Sequence, residues 1–193
     1  MDLVNKGYYN NRKIDRSDGF VVQTGDSATC GTECKEGEIH GIFFFFISSN
    51  GDFYPLIYRL DYTFLSSSHI GYVEDGVERK IPLEISLRGD KELIYSATNE
   101  EEGRGNAAAV IQFQAYGAMG MAREEFDNDS ASTQFFWLLF ESDLTPAGKN
   151  LLDGRYSCFG YTVKNADLLK GVREGDIIKS AKIVYGNENL NKK

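Results

Sequence analysis

The sequence predicts an all-β domain, a closed barrel or sandwich of short strands, and three observations carry that expectation. Short apolar runs recur along the chain with turn residues between them. The 193 residues include 20 glycines and 3 prolines, so the connections are tight turns and not proline-stiffened linkers. Helical content is small, confined to a stretch stopped by Gly7 and one or two turns over Asn165–Leu169.

Phe20–Thr24 reads as a β run closed by Gly25-Asp26. Ile42–Ile47 holds four consecutive phenylalanines, and Phe53–Leu65 is interrupted by Pro55, Arg59 and Asp61. Neither run is long enough to cross a bilayer as a helix. The plain reading is a hairpin turning at Asn50-Gly51. Arg79–Ile85 is the next strand, with Pro82 marking an edge or a strand start. Glu100–Asn106 is a charged loop, Ala107–Phe113 a strand candidate, and Gly117–Ala122 a small-residue strand. Arg123–Ser132 is an acidic loop. Gln134–Phe140 is a strongly apolar strand, Ser142–Leu152 a loop, and Tyr156–Val163 a further strand. Ile177–Val184 closes the set, and residues 187–193 are expected to fray.

Composition narrows the function classes. Lys plus Arg is 21 against 29 for Asp plus Glu, a formal charge of -8, and no basic stripe with interleaved aromatics is present. Nucleic acid is therefore not an expected partner. Cys30, Cys34 and Cys158 are an odd set and make no disulfide framework. Cys30 and Cys34 could form half of a zinc site, but no second pair follows at ligand spacing. Cys158 lies in an apolar strand and reads as a core residue. His40 and His69 have no carboxylate arrangement that suggests a hydrolase.

The stretch Gln134-Phe135-Phe136-Trp137-Leu138-Leu139 and the turn Leu152-Asp153-Gly154-Arg155-Tyr156 have a specific pattern. So do Gly19-Phe20-Val21-Val22-Gln23-Thr24-Gly25-Asp26, Ile81-Pro82-Leu83-Glu84-Ile85, Met121-Ala122-Arg123-Glu124-Glu125-Phe126 and Glu141-Ser142-Asp143-Leu144-Thr145-Pro146. In this order they resemble the cyclophilins, the β-barrel peptidyl-prolyl cis-trans isomerases, and most of all the large cyclophilins of the plant thylakoid lumen. The resemblance covers residues 1–26 and 71–186. It implies an all-β, cyclophilin-like closed antiparallel barrel with short capping helices over 1–186, followed by a frayed tail at 187–193. The family barrel begins with strands ahead of its first helix, so the chain is expected to be truncated and the barrel incomplete at its N-terminus. Residues 35–68 have no family counterpart and read as an atypical insertion or translated non-coding sequence; a hairpin standing in for the missing strands is the alternative.

The resemblance also implies a site. A prolyl isomerase needs no metal, cofactor or nucleophile. It needs an apolar pocket for the pyrrolidine ring and donors that favour the twisted imide over either planar form. By resemblance, Phe20, Met121, Phe136 and Leu151 form the pocket, with Tyr156 where the family has histidine and Leu151 where it has tryptophan. Gln23 and Gln134 match the family glutamines. The family's catalytic arginine stands five residues before the pocket phenylalanine, and here that position is Asp15, with Arg16 one residue later. In a regular strand such a shift turns a side chain to the opposite face unless a bulge restores it, and Asp15 could hold Arg16 outward as an ion pair. The loop Arg123–Asp129 carries four carboxylates without EF-hand spacing.

Two functions follow from the resemblance. The first is prolyl isomerisation assisting protein folding or photosynthetic complex assembly in the chloroplast thylakoid lumen, with Arg16, Gln23 and Gln134 as the catalytic group. Its partners are proline-containing peptide or protein clients, photosystem proteins among them, with no membrane span. The alternative is a non-catalytic cyclophilin-like peptide-binding or assembly module.

Overall fold

The computed structural model describes residues 2–26, 43–47, 53–54, 73–74, 77–141 and 150–187. A short helix, α1 (Asp2–Asn5), buries Leu3 and Val4 and ends at Gly7, whose φ of +70° suits a residue without a Cβ. Among the described residues twelve strands follow: β1 (Arg12–Ser17), β2 (Val21–Thr24), β3 (Phe43–Ile47), β4 (Phe53–Tyr54), β5 (Val73–Glu74), β6 (Val77–Glu78), β7 (Glu84–Ile85), β8 (Ile94–Tyr95), β9 (Ala118–Met121), β10 (Phe135–Leu138), β11 (Cys158–Lys164) and β12 (Ile177–Ile178). A 3-10 helix, Ala166–Gly171, links β11 to β12.

The all-β class is as expected, but the closed barrel is not. The main sheet runs β12-β1-β2-β10-β9-β11-β3-β4 and remains an open, strongly curled half-barrel. No ladder joins its two edges among the described residues. Closure requires the first and last strands to share a ladder at a fixed stagger. Among the described residues β12 pairs with β1 and β4 with β3, and neither pairs with the other. The run Ile177–Val184 gives strand only at Ile177–Ile178.

Other elements are shorter than the sequence suggests. Ala107–Phe113 forms no strand and contributes only a bridge from Ala109 to Leu87. Arg79–Ile85 supplies a bridge from Ile81 to Ala131 and then the two-residue β7, which pairs with β8. The hairpin is present: Phe46 pairs with Tyr54 and Ile47 with Phe53, and β3 also pairs with β11. Cys30, Cys34, His40 and His69, and the turn at Asn50-Gly51, lie outside the described residues.

The core takes in residues from both faces of the central strands, since Phe135, Phe136 and Trp137 are all buried in it. Val22, Met119, Phe135 and Trp137 are buried in a single cluster with Tyr9, Ile14 and Phe159. Phe135 is its hub, with edge-to-face contacts to Tyr9 at 5.5 Å, Trp137 at 4.7 Å and Phe159 at 6.3 Å. The Tyr9 hydroxyl donates to the Thr133 carbonyl at 2.9 Å, which ties the segment after α1 to the start of β10. Truncating Phe135 to alanine should therefore lower the unfolding free energy by about 3–5 kcal/mol, through lost burial and a cavity that rigid rings cannot fill. Urea denaturation checks this; a loss below about 1 kcal/mol would show that the cluster repacks.

Candidate functional site

The register of the central strands arranges the side chains in rows. One row crosses the sheet through Arg16, Gln23, Phe136, Gly120 and Cys158. The rows on either side are Ile14-Thr24-Phe135-Met121 and Ser17-Val22-Trp137-Met119. Directly opposed residues share a face and neighbouring rows alternate, so the Arg16 row lies on the opposite face of the sheet from Phe135 and Trp137, although its Phe136 ring is buried in the same hydrophobic cluster.

Arg16 reaches that row through a bulge. Ile14 is opposite Thr24, but Arg16, two residues on, is opposite Gln23, only one residue back along β2. Asp15 is the extra residue, and it cancels the change of face that a one-residue displacement causes in a regular strand. Asp15 does not hold Arg16 outward: its Oδ2 accepts the Asp26 backbone N–H at 2.9 Å. Arg16 instead pairs with Asp18. Its Nε donates to Asp18 Oδ2 at 2.7 Å, and Nη2 donates to the same oxygen.

Gln23 is buried, and its Nε2 donates to Gln134 Oε1 at 2.9 Å. Phe136 is 1% exposed and stacks on Phe113 at 5.7 Å with an interplanar angle of 17°. Gly120 makes that stack possible: a Cβ there would lie 2.4 Å from both the Phe113 and Phe136 rings. Tyr156 meets Phe136 edge-on at 6.5 Å, and the Arg123 guanidinium lies over the Tyr156 ring at 4.7 Å. Arg123 is itself buried, donating from Nε to the Arg155 carbonyl at 3.1 Å and from Nη1 to the carbonyls of Glu124 at 2.8 Å and Glu125 at 3.0 Å. It thus joins the acidic loop to the turn that carries Tyr156.

Gln23, Gln134, Phe136 and Tyr156 are thereby brought together, with Arg16 in register beside Gln23. Phe20 is 66% exposed and packs edge-on against Phe140 at 5.9 Å. Leu151 is 78% exposed on a loop pinned by Asn150, whose Nδ2 donates to the Phe113 carbonyl at 3.0 Å. Met121 is buried opposite Phe135, in the row next to that of Phe136. Sequence reasoning did not single out Phe113, Gly120, Arg123 or Asp18 for the site. Of these, Arg123 stood inside a quoted motif, whereas the role of Gly120 depends on two rings meeting across strands.

Titration follows the same geometry. Burial pushes the Asp18 carboxyl up, but hydrogen bonds from the Val21 and Phe20 amides and from Arg16 outweigh it, leaving the pKa below its ordinary 3.8. Burial pushes the Cys158 thiol up to about 12, although the residue as a whole is only half-buried; its Sγ faces the carbonyls of Gln112 and Gly160. A thiol held so far from ionisation is a poor nucleophile. Among the described residues, no group of His, Cys, Asp and Glu is placed to hold a metal ion, and no helix is long and apolar enough to cross a membrane.

The family model described as cyclophilin type peptidyl-prolyl cis-trans isomerase/CLD matches residues 1–186. The chain belongs to the cyclophilin family. It is 42% identical over 192 residues to the chloroplastic peptidyl-prolyl cis-trans isomerase CYP38 of Arabidopsis thaliana, covering 98% of this chain and 35% of that protein. It is 46% identical over 112 residues to a putative thylakoid lumen peptidyl-prolyl cis-trans isomerase of Synechocystis, covering 58% of this chain and 30% of that protein. A second chloroplastic isomerase of Arabidopsis thaliana, CYP37, is 34% identical over 113 residues, covering 57% of this chain and 24% of that protein. The chain thus spans about a third or less of the length of these relatives. It is closely related to the plant and cyanobacterial thylakoid-lumen cyclophilins, and this relationship supports a place in the chloroplast thylakoid lumen. A cyclophilin fold is consistent with prolyl isomerisation or a related peptide-binding role.

Two outcomes follow for this cyclophilin. Because the Asp18 pKa is lowered on folding, its contribution to stability is fully present above 3.8 and is lost as pH falls through the lower folded value. Asp18→Asn should flatten the acid limb of a stability–pH profile measured by urea denaturation, and an unchanged limb would contradict the assignment. Gly120→Ala should destabilise by about 1–3 kcal/mol, because the new methyl must displace an aromatic ring. A neutral change in thermal denaturation would show that the Phe113–Phe136 stack is not tight.

Proposed function

We propose that the chain is a cyclophilin-type peptidyl-prolyl isomerase acting on proline-containing segments of peptide or protein clients. Its role is to assist protein folding or the assembly of photosynthetic complexes, with photosystem proteins among its clients. The reading is carried by the bulge at Asp15, which sets Arg16 opposite Gln23 in the row of Phe136.

The chemistry needs no covalent step. Amide resonance holds the imide planar, behind a barrier of about 18–20 kcal/mol. Rotation localises the lone pair on the proline nitrogen, which becomes a better hydrogen-bond acceptor as it twists. A guanidinium directed at that nitrogen therefore stabilises the twisted state more than either planar state, which is the condition for catalysis. In this reading Arg16 supplies the guanidinium, and Gln23 and Gln134 orient the flanking peptide group. The ring of Phe136, held between Phe113 and Tyr156, backs the pocket from beneath, while Phe20 and Leu151 offer the exposed apolar surface that meets the pyrrolidine and its neighbours. Met121 sits in the adjoining row, opposite Phe135, and contributes to the buried layer behind the site.

A second reading, a non-catalytic peptide-binding or assembly module, is favoured by Asp15 at the family's arginine position and by the engagement of Arg16 with Asp18. A protease-coupled isomerisation assay separates the two. Arg16→Ala should lower kcat/KM by at least about 100-fold, the scale for losing one donor aimed at transition-state charge. No rate above the uncatalysed reaction, from folded unmodified protein, would leave the binding module.

A further inference from the structure

The carboxylate of Asp18 does two jobs at once. It opens the turn between β1 and β2, and Gly19 follows it with a φ of +88°. One oxygen, Oδ2, accepts the Nε and Nη2 donors of Arg16. The other, Oδ1, accepts the backbone N–H groups of Phe20 at 2.9 Å and Val21 at 3.0 Å. The turn closes further through the Asp18 N–H to the Val21 carbonyl at 3.3 Å. A single side chain thus connects the guanidinium in the Gln23–Phe136 row to the backbone that presents Phe20. Both members of the ion pair are about one-third exposed, so the pair borders solvent where a peptide can reach it.

We infer that Asp18 is a positioning residue for prolyl isomerisation: it fixes the Nε–Nη2 edge of Arg16 so that the Nη1 edge faces the peptide, and it couples that orientation to the turn carrying Phe20. This inference rests on the isomerase reading. A guanidinium carries five N–H groups in a rigid plane, so anchoring one edge determines where the remaining donors point. An arginine on a flexible stem would otherwise lose orientational freedom at the moment of reaction, and prior anchoring removes that cost from the barrier. Asp18 touches neither the imide nor its flanking carbonyls in this arrangement and acts through Arg16.

The two functions of the carboxylate separate by substitution. Asp18→Asn keeps an oxygen to accept the Phe20 and Val21 amides and removes the charge that holds Arg16. Asp18→Ala removes both. In the isomerisation assay, Asp18→Asn should lower kcat by roughly 10- to 100-fold with KM little changed. Asp18→Ala should lower kcat similarly and also raise KM, because the turn bearing Phe20 loosens. In an Arg16→Ala background, Asp18→Asn should have no further effect on kcat. By NMR, the Arg16 Nε–H of the unmodified chain should exchange with water more slowly than that of a free arginine, and Asp18→Asn should abolish the protection. An unmodified kcat in Asp18→Asn overturns the inference alone, as does an equal loss in the Arg16→Ala background. Unprotected exchange in the unmodified chain overturns it without recourse to any variant. Folded, unmodified protein with no isomerase activity overturns the isomerase reading and this inference with it.

Discussion

The register between β1 and β2 is the constraint on which the candidate site depends. Two strands joined by a short turn have few ways to pair, and each one-residue slip exchanges the two faces. Here the ladder keeps Ile14 and Ser17 on the core side and takes up Asp15 as an extra residue between them. Arg16 therefore enters the row of Gln23 and Phe136 without disturbing the buried partners on either side. The bulge is secured at each end: Asp15 accepts the Asp26 amide, and Asp18 caps the turn into β2.

The same row explains why the site is rigid at its base and open at its rim. Phe136 is locked between Phe113 and Tyr156, and the absence of a side chain at Gly120 leaves room for the stack. Arg123 and Asn150 fasten the flanking loops to this base through backbone carbonyls. Phe20 and Leu151 remain exposed at the periphery. A rigid buried aromatic base beneath exposed apolar side chains suits recognition of a peptide segment, since little of the site has to be ordered on binding.

Much of this was legible in the sequence, for physical reasons that differ by element. The runs around Val22, Met119 and Phe135 are dense in apolar residues and bounded by glycine or by acidic and polar turn residues, so β2, β9 and β10 could be placed from pattern alone. The association of Gln23 with Gln134 and Phe136 followed from a resemblance carried by linked motifs. The bulge was not legible, because a bulge is a property of a strand pair, and Asp15 and Arg16 look the same on paper in either register. Met121 was grouped with Phe136 from sequence, whereas the register opposes it to Phe135, the kind of distinction that alternation decides only once pairing is known. The closed barrel was also misjudged. Closure depends on which strands the two edges pair with, and no ladder joins β12 to β4 among the described residues. Ala107–Phe113 was read as a strand, but it makes only a bridge from Ala109 to Leu87, and its Gln112 and Phe113 amides donate to the Tyr161 hydroxyl and the Asp153 carboxylate instead of to a neighbouring strand.

The central claim is that Arg16, Gln23, Phe136 and Tyr156 form one peptide-binding face. Its most direct test is a titration of the isotopically labelled chain with a short proline peptide, followed by NMR at side-chain resolution. The account predicts that the Arg16 Nε–H, the Gln23 and Gln134 amides and the Phe136 and Tyr156 rings shift together with one dissociation constant, while Ile14 and Trp137, on the opposite face of the sheet, stay still. Shifts that leave Arg16 and Phe136 unmoved, or that fall on that opposite face, would contradict it.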